Sequence, residues 1–348
     1  MSRLDARSFY REYHGHKTAD LEKVVAHFKK SRGDEAPIMW LSGDSSLDNK
    51  AWFDDTSDAC NGWEDLLSPP LMKMDLSYCL NREAQARALD AVVVNCAIEE
   101  SCVGQRACGR LLPQDVFIRD NIGSNDTLVV SVGGNDIALR PNLCTILNML
   151  WLMKCVPQCC IEQTACGCAL PCDDCCLGCG PGCLSNFSAC PPGAGYFVHL
   201  FKTRIQDYVS RLVAKTRPRK VLVAMIYFPD EARTDSWADM TLSALGYQSN
   251  PAKLQSLIRL IFERATKQIR IPGVHVEAVP FFQVLDGRTS SDYCQRVEPS
   301  PQGGAKLARL IWDHARSSEE ARASADAADA AGLLQPQQQF NALAAMDR

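Results

Sequence analysis

The sequence predicts an α/β protein of three layers, in which helices cover both faces of a mostly parallel five-stranded sheet. Short apolar runs rich in β-branched residues alternate with helical patterns along the chain, which is typical of parallel strands covered on both faces. Polar, glycine-containing turns follow several of these runs, at the strand ends where such sheets bind ligands. The composition, 46% hydrophobic and 22% charged, is also that of an ordinary globular protein.

Five apolar runs are predicted to form the sheet. Most are nearly continuous in valine, isoleucine, leucine or methionine, so neither face of the strand is polar. We therefore expect strands at Pro37–Leu41, Ala91–Cys96, Thr127–Val132, Lys220–Phe228 and Val274–Pro280.

Several segments have the apolar spacing of helices that pack on such a sheet. Lys17–Lys30 precedes the first strand and carries a stripe formed by Leu21, Val24, Val25 and Phe28. The clearest helical pattern is Pro251–Ile269, which Asn250 caps and which has Pro251 in its first turn. Phe197–Val213 and Pro301–His314 have similar patterns.

The chain divides into three parts by composition. We interpret residues 1–35 as an N-terminal helical segment and residues 36–316 as the α/β domain. Residues 155–190 form a cysteine-rich insertion within that domain, and residues 317–348 form a low-complexity tail rich in alanine and glutamine.

Net charge and hydropathy limit which partners and which cellular compartment are expected. The net charge is −4 and lysine and arginine are scattered, so nucleic acid is not an expected partner. The first residues lack the apolar core of a secretory signal, and the apolar run Leu143–Met153 is too short to cross a bilayer. A cytoplasmic location is therefore predicted, with peripheral membrane association as a further expectation.

Two polar turns contain candidate catalytic residues. Gly43-Asp44-Ser45 follows the first predicted strand, and Gly133-Gly134-Asn135-Asp136 follows the third, about 90 residues later. A serine on a tight turn at the carboxyl end of a buried strand is a candidate nucleophile, because backbone N–H groups at the start of the next helix can stabilise an oxyanion there.

These motifs resemble the first and third blocks of the SGNH, or GDSL-type, hydrolases, whose sheet is flavodoxin-like. The resemblance spans roughly residues 37–314 without the cysteine-rich insertion, so residues 36–316 are an SGNH hydrolase-like domain. It implies that Ser45 attacks an acyl carbonyl, while the Ser45 N–H, a backbone N–H at Glu100 and the Asn135 side chain form the oxyanion hole. The supporting motif residues are Gly43, Asp44, Gly133, Gly134 and Asp136.

The last block departs from the family pattern. Where the family has Asp-x-x-His, this chain has Gln295-x-x-Glu298, so Glu298 is the candidate base and the family's histidine is missing. A glutamate with an ordinary pKa near 4.3 would make the reaction weak or acid-shifted. Asp292 is a candidate orienting residue, and His14 and His16 are alternative bases on a loop before the first helix.

Two functions from different classes follow. The first is an ester hydrolase that acts on a small acyl or acetyl ester and needs no cofactor for catalysis. The alternative is a catalytically inactive binding or scaffolding protein that is localised through its cysteine-rich insertion. The loop Pro229–Asn250 carries acidic residues and Trp237, so it is either a pocket wall for a sugar or other polar ester or, slightly preferred, a solvated connection.

The cysteine-rich insertion contains eleven of the eighteen cysteines. In a reducing cytosol this density favours thiolate ligands or modification over disulfides. One hypothesis is a structural zinc, and another is S-acylation beside the apolar run Leu143–Met153, which would bring the chain to a membrane surface. A third is an insertion without a ligand. The candidate zinc ligands are Cys172, Cys175, Cys176 and Cys179.

Overall fold

The computed structural model describes residues 3–163 and 193–330, and for residues 317–330 it describes the backbone alone. Its centre is a sheet of five parallel strands in the order β2-β1-β3-β4-β5. The prediction of a mostly parallel five-stranded sheet is therefore confirmed, and each observed strand overlaps a predicted one. The strands are β1 (Ile38–Gly43), β2 (Val92–Asn95), β3 (Thr127–Ser131), β4 (Lys220–Met225) and β5 (Val276–Pro280).

Burial explains why these segments are strands. Every residue of β1 to β4 is buried, as their continuous apolar sequences require, whereas β5 at the sheet edge is only partly buried. The start of β1 is fixed by Asp126, whose carboxylate accepts from the Ile38 N–H (2.8 Å) and from Trp40 Nε1 (2.7 Å). This contact aligns β1 with the beginning of β3.

Twelve helices occur in the described residues, and several were not evident in the sequence, including α3 and α4. Two π-helical turns, Trp151–Cys155 and His199–Arg204, extend α6 and join α8 to α9. The helices are α1 (Ala6–Arg11), α2 (Thr18–Arg32), α3 (Leu76–Ala86), α4 (Pro113–Asn121), α5 (Gly134–Ala138), α6 (Leu143–Leu150), α7 (Gln158–Gln163), α8 (Ala194–Val198), α9 (Ile205–Leu212), α10 (Asp239–Ala244), α11 (Pro251–Arg264) and α12 (Pro301–Ala330).

The helices form the two outer layers. Right-handed crossovers place α3 and α4 on opposite faces, because the chain moves to one side of β1 after that strand and back again after β2. Helix α12 packs with α3, where Trp312 Nε1 donates to the Leu80 carbonyl (3.0 Å). Helices α2 and α9 pack with α4. Helix α2 buries the stripe predicted from its sequence.

Three short strand pairs were not predicted. Leu4–Asp5 pairs with Leu67–Ser68, and Thr56–Asp58 pairs with Leu71–Lys73. Tyr293–Cys294 pairs with Glu298–Pro299 and forms a hairpin after β5. Segments of two or three residues have too little periodicity to be recognised from sequence.

Some sequence predictions fall on residues that the structure does not describe. The candidate zinc ligands Cys172, Cys175, Cys176 and Cys179 lie outside the described residues. Cys144 on α6, outside the predicted insertion, is disulfide-bonded. Helix α12 runs through residues 317–330 of the predicted tail. Of the helices that can be described, none is both long and apolar enough to cross a membrane.

Candidate active site

The Ser45 turn lies at the carboxyl end of β1, beside the end of β3. The strand order reverses between these two strands, which is where sheets of this topology bind ligands. Gly43 has φ +139°, and a Cβ atom there would lie 1.7 Å from the Ser131 carbonyl oxygen. The Asp44 N–H donates to the same oxygen at 3.0 Å. Only glycine therefore allows this approach, which fixes Ser45 between the two strand ends.

Asp44 joins the two sequence motifs. Its Oδ1 accepts from the Ser46 hydroxyl (2.7 Å) and N–H (3.1 Å), and its Oδ2 accepts from the Gly133 N–H (3.2 Å). Burial raises the pKa of Asp44 to about 6, because the charged form is poorly solvated there. The side chain acts as a bridge between the nucleophile turn and the beginning of α5.

The structure brings Ser45 and Glu298 together across 253 residues of sequence. Ser45 Oγ donates a hydrogen bond to Glu298 Oε1 at 3.2 Å, and both side chains are buried. Glu298 stands on the hairpin after β5, and two of the three turn residues of that hairpin, Gln295 and Arg296, have positive φ of 51° and 67°. The hairpin therefore places the Glu298 carboxyl beside the Ser45 hydroxyl.

The Glu298 carboxyl is in an unfavourable place for a negative charge. Burial raises its pKa well above the ordinary value, and the carboxyls of Glu99 and Asp44 raise it further. Its Oε2 is buried and has no hydrogen-bond partner among the described residues. The neutral acid is thus favoured over a wider pH range than for an exposed glutamate.

Four residues that the sequence analysis did not assign form a polar network beside this pair. Glu99 Oε1 accepts from Trp52 Nε1 (3.2 Å), and the Glu99 N–H donates to Asp48 Oδ2 (3.1 Å). Asp48 forms a fully buried ion pair with Lys50 at 2.6 Å. Burial, with the Asp48 charge as the next cause, raises the pKa of Glu99 to about 8. Nothing local in the sequence marks Asp48 and Lys50 as buried.

Asn135 opens onto the same space as Ser45. Its Nδ2 donates to the Ser101 carbonyl at 3.1 Å, which leaves the second hydrogen of that amide for another acceptor. Gly133 has φ +118°, and a Cβ atom there would lie 2.8 Å from the Phe201 ring. Any side chain at this position would therefore collide with Phe201. Asp136 accepts from the Val103 N–H at 2.8 Å and from the next N–H, so it ties α5 to the loop after β2.

Two predicted site residues have other contacts. The Glu100 carboxylate accepts from the Tyr13 hydroxyl (3.1 Å) and pairs with Arg140 (3.2 Å), so the side chain faces the loop between α1 and α2. Both carboxylate oxygens of Asp292 are engaged, by Gln302 Nε2 (3.0 Å) and Lys306 Nζ (2.6 Å). Through these contacts Asp292 holds the beginning of α12, and its orienting role stays a prediction.

The loop with the two alternative bases also reaches this end of the sheet. His14 Nδ1 lies 3.4 Å from the Glu99 carbonyl oxygen. His16 is buried, stacks on Phe9 and has its Nδ1 3.0 Å from the Phe9 carbonyl oxygen. Burial lowers the pKa of His16 well below its ordinary value. Each histidine thus directs its Nδ1 at a backbone oxygen, while the Ser45 hydroxyl bonds Glu298.

A cavity of about 110 Å³ lies beside Ser45, Asn135 and Glu298. The rest of its wall is almost entirely apolar and comes from the end of β4, the helices α6, α10 and α11, and the π-helical turn before α9. The main apolar contributors are Met149, Phe201, Met225, Trp237, Leu242 and Leu257. This wall differs from the acidic pocket for a polar ester that the loop Pro229–Asn250 suggested.

Arg296 connects the Glu298 hairpin to the wall of this cavity. The buried guanidinium donates to the Asp230 carbonyl (2.8 Å) and to Asp239 Oδ1 (2.5 Å). Asp239 is the first residue of α10, and Thr241 and Leu242 of that helix line the cavity. The hairpin that carries Glu298 and one wall of the cavity are therefore joined through a single arginine.

Metal chemistry has no candidate site in the described part of the chain. Within residues 3–161 and 193–316, whose side chains the structure describes, no group of three histidine, cysteine, aspartate or glutamate side chains is arranged to hold an ion. The chemistry of the site is that of a serine, carboxyl groups and an amide.

Comparisons with known proteins give matches in structure alone. No family model matches the sequence, and neither does any curated protein. Among solved structures, an extracellular lipase from Streptomyces rimosus matches 80% of this chain and 99% of its own, with 10% identity and a TM-score of 0.39. A phospholipase A1 from Streptomyces albidoflavus matches 80% and 99%, with 11% identity and a TM-score of 0.38. A carbohydrate acetylesterase from Sinorhizobium meliloti matches 81% and 99%, with 10% identity and a TM-score of 0.39. Because these similarities are remote, the chemistry is inferred from the geometry of the site itself.

Proposed function

We propose that this protein hydrolyses esters, with Ser45 as the nucleophile and Glu298 as the general base. The observation that carries the proposal is the hydrogen bond from Ser45 Oγ to Glu298 Oε1, 3.2 Å long, beside a cavity. A serine hydroxyl is a poor nucleophile until a neighbour takes its proton, and a carboxylate at this distance can do so.

The reaction runs in two balanced steps. Ionised Glu298 takes the Ser45 proton as Oγ bonds to the acyl carbon, and the protonated carboxyl then gives that proton to the leaving alkoxide. The alcohol departs and leaves an acyl-serine ester. Water next attacks the acyl carbon while Glu298 takes its proton, and the carboxyl returns a proton to Ser45 as the acid is released.

The developing oxyanion needs donors that are already in place. The Asn135 amide and the Ser45 N–H are the donors that we assign, because both residues line the cavity beside Glu298. Ionised carboxylates nearby would oppose this charge. With a pKa of about 8, Glu99 is largely neutral at pH 7, which removes part of that opposition.

The pH dependence follows from the raised pKa of Glu298. Only the ionised form accepts a proton, and burial holds this carboxyl neutral to higher pH. Activity therefore increases at higher pH than the ordinary pKa of a glutamate, which would give an acid-shifted enzyme, would predict. The raised pKa also makes ionised Glu298 a stronger base than an exposed glutamate.

A serine-reactive phosphonate and a dissolved acetate ester test the proposal from pH 5 to 9. We expect Ser45→Ala to abolish labelling and Glu298→Gln to lower the hydrolysis rate by about 10²-fold or more. The exposed Ser31→Ala is the matched control and should behave as wild type. Labelling that persists without Ser45, or full activity in Glu298→Gln, would contradict the assigned roles.

The alternative function is a binding or scaffolding protein without turnover. A Ser45 that never labels, in a protein that still binds an ester analogue, would favour it. Zinc in the cysteine-rich insertion remains a separate proposal, and metal analysis of the reduced, purified protein tests it.

A further inference from the structure

Large apolar side chains are exposed on one region of the surface. Nine such residues are exposed in the described parts of the chain, and eight of them fall within residues 139–151 and 237–240. Scattered exposed leucines are ordinary, but a concentration of this kind marks an interaction surface. We call seven of them the apolar rim: Leu143, Ile146, Leu147, Leu150, Trp151, Trp237 and Met240.

Helix α6 supplies most of the apolar rim. Residues 143, 146, 147 and 150 follow the i, i+3, i+4, i+7 spacing of one helix face, and this face points to solvent. Leu143 is 67% exposed and Leu147 57% exposed. On the inner side, Thr145 and Met149 are buried. An ordinary surface helix is polar on its outer face, so α6 departs from the usual pattern.

The apolar rim and the cavity share the same helices. Met149 of α6 lines the cavity, and so does Trp237, which is also exposed. Met240, at 84% the most exposed large apolar side chain described, immediately precedes the cavity residues Thr241 and Leu242 on α10. Exposed apolar surface is therefore continuous with an apolar interior that includes Ser45 in its wall.

We propose that the apolar rim docks on a lipid surface and that the cavity takes the acyl chain of an ester held in that surface. Two tryptophans suit this use, because an indole places its ring among acyl chains and its N–H near the headgroups. Lys154 is exposed just after Trp151 and can contact a lipid phosphate. The substrate part of this inference rests on the proposed function, whereas the docking does not require catalysis.

The docking is tested with vesicles of brominated phosphatidylcholine and the inactive Ser45→Ala protein. Bromine quenches only tryptophans close to the acyl chains. Trp151 and Trp237 are exposed, whereas Trp40, Trp63 and Trp312 are buried. We expect vesicles to quench the fluorescence, and the double change of Trp151→Phe and Trp237→Phe should remove most of that quenching. Unquenched fluorescence at saturating lipid would overturn the proposal.

Charge substitutions provide the second arm. Leu147→Glu should weaken vesicle binding at least tenfold, and Met240→Glu should do the same without touching the packing of α6. Ala86→Glu, at an exposed position of α3, adds the same charge and should bind as the parent protein does. Equal binding by all three would overturn the proposal. If the parent protein is a dimer that does not bind vesicles, and the two rim substitutions convert it to a monomer, the apolar rim instead joins two copies of the chain.

Activity separates this inference from the proposed function. With Ser45 present, Leu147→Glu should hydrolyse a dissolved acetate ester within about twofold of wild type. It should lose at least tenfold on a long-chain ester embedded in vesicles. If neither ester is hydrolysed but wild type binds vesicles, the catalytic proposal fails and the docking stands. If both esters are hydrolysed equally by wild type and variant, the docking proposal fails.

Discussion

Gly43 determines the position of the Ser45 turn because it has no side chain. The strand ends of β1 and β3 approach so closely that the Asp44 N–H reaches the Ser131 carbonyl, and the same approach leaves no room for a Cβ atom. Positive φ adds a second constraint, because L-residues rarely adopt +139°. The position of Ser45 thus depends on the residue two places before it.

Gly43→Ala should lower the free energy of unfolding by about 3 kcal/mol or more, because the strand end must move to relieve the contact. Gly33 is a matched control, since it also has positive φ, +100°, but a Cβ atom there would have no other atom within 4 Å. Gly33→Ala should cost about 1 kcal/mol. Chemical denaturation of both variants measures the difference, and equal losses would show that backbone strain alone accounts for Gly43.

Sequence motifs pointed to some of the candidate site residues, whereas the others could not be recognised from sequence. Ser45 and Asn135 stand in recognisable turns, and Glu298 was found because it replaces a residue of the resembling family. Glu99 and the ion pair of Asp48 with Lys50 are ordinary charged residues by sequence. Only the packing of distant segments shows that they are buried, and burial is what shifts their pKa values.

At the scale of elements, the loop after β2 is held against the end of β1 by Arg106. This buried guanidinium pairs with Asp115 on α4 (2.8 Å), bonds the Ser101 hydroxyl and the Cys102 carbonyl (both 3.1 Å), and lies over the Tyr208 ring. One side chain therefore joins α4, α9 and the loop from which Asn135 takes its backbone partner.

Arg106→Lys should lower the free energy of unfolding by about 2 kcal/mol or more, because an ammonium cannot reproduce the planar fork and leaves buried acceptors without donors. Arg119→Lys, at a solvent-facing pair with Asp120, is the control and should change stability by less than about 0.5 kcal/mol. Thermal unfolding compares them. A loss as large in Arg119→Lys would mean that general arginine content, rather than this contact, is responsible.

The strands were predictable because burial on both faces leaves an uninterrupted apolar signature. Helix α2 was predictable from its stripe of four apolar residues. Residues 44–75, between β1 and α3, were not: their strands are two or three residues long and their turns depend on tertiary contacts. The alanine-rich tail was expected to be partly helical or disordered, because such a segment is compatible with both, and α12 continues into it as far as Ala330.

For the whole molecule, several buried acids make stability depend on pH. Burial raises the pKa of Asp44 to about 6, of Asp75 to about 7 and of Glu99 to about 8. A raised pKa means that the folded state holds the proton more tightly than the unfolded chain. The stability from these protons is complete below about pH 4 and is lost as pH rises through 6 to 8.

Glu99→Gln isolates one of these contributions. Below about pH 4 the carboxyl is neutral in both the folded and the unfolded state, so the variant should differ little from wild type there. At pH 9 the variant should be more stable than wild type by about 1–3 kcal/mol, because it carries no charge to bury. Glu22→Gln, at an exposed position of α2, should show a difference that does not change with pH. Parallel pH profiles for both variants would rule out a buried charge at Glu99.

The ion pair between Arg296 and Asp239 links the helix that carries part of the apolar rim to the hairpin that carries Glu298. Asp239 begins the helix that carries Met240 outward and Leu242 inward, and Arg296 lies two residues before Glu298. Were docking of the apolar rim to shift that helix, Arg296 would carry the shift to Glu298, the proposed base. Binding free energies are reciprocal, so an acyl analogue seated beside Ser45 must change the affinity for the surface by the same factor as the surface changes the affinity for the analogue.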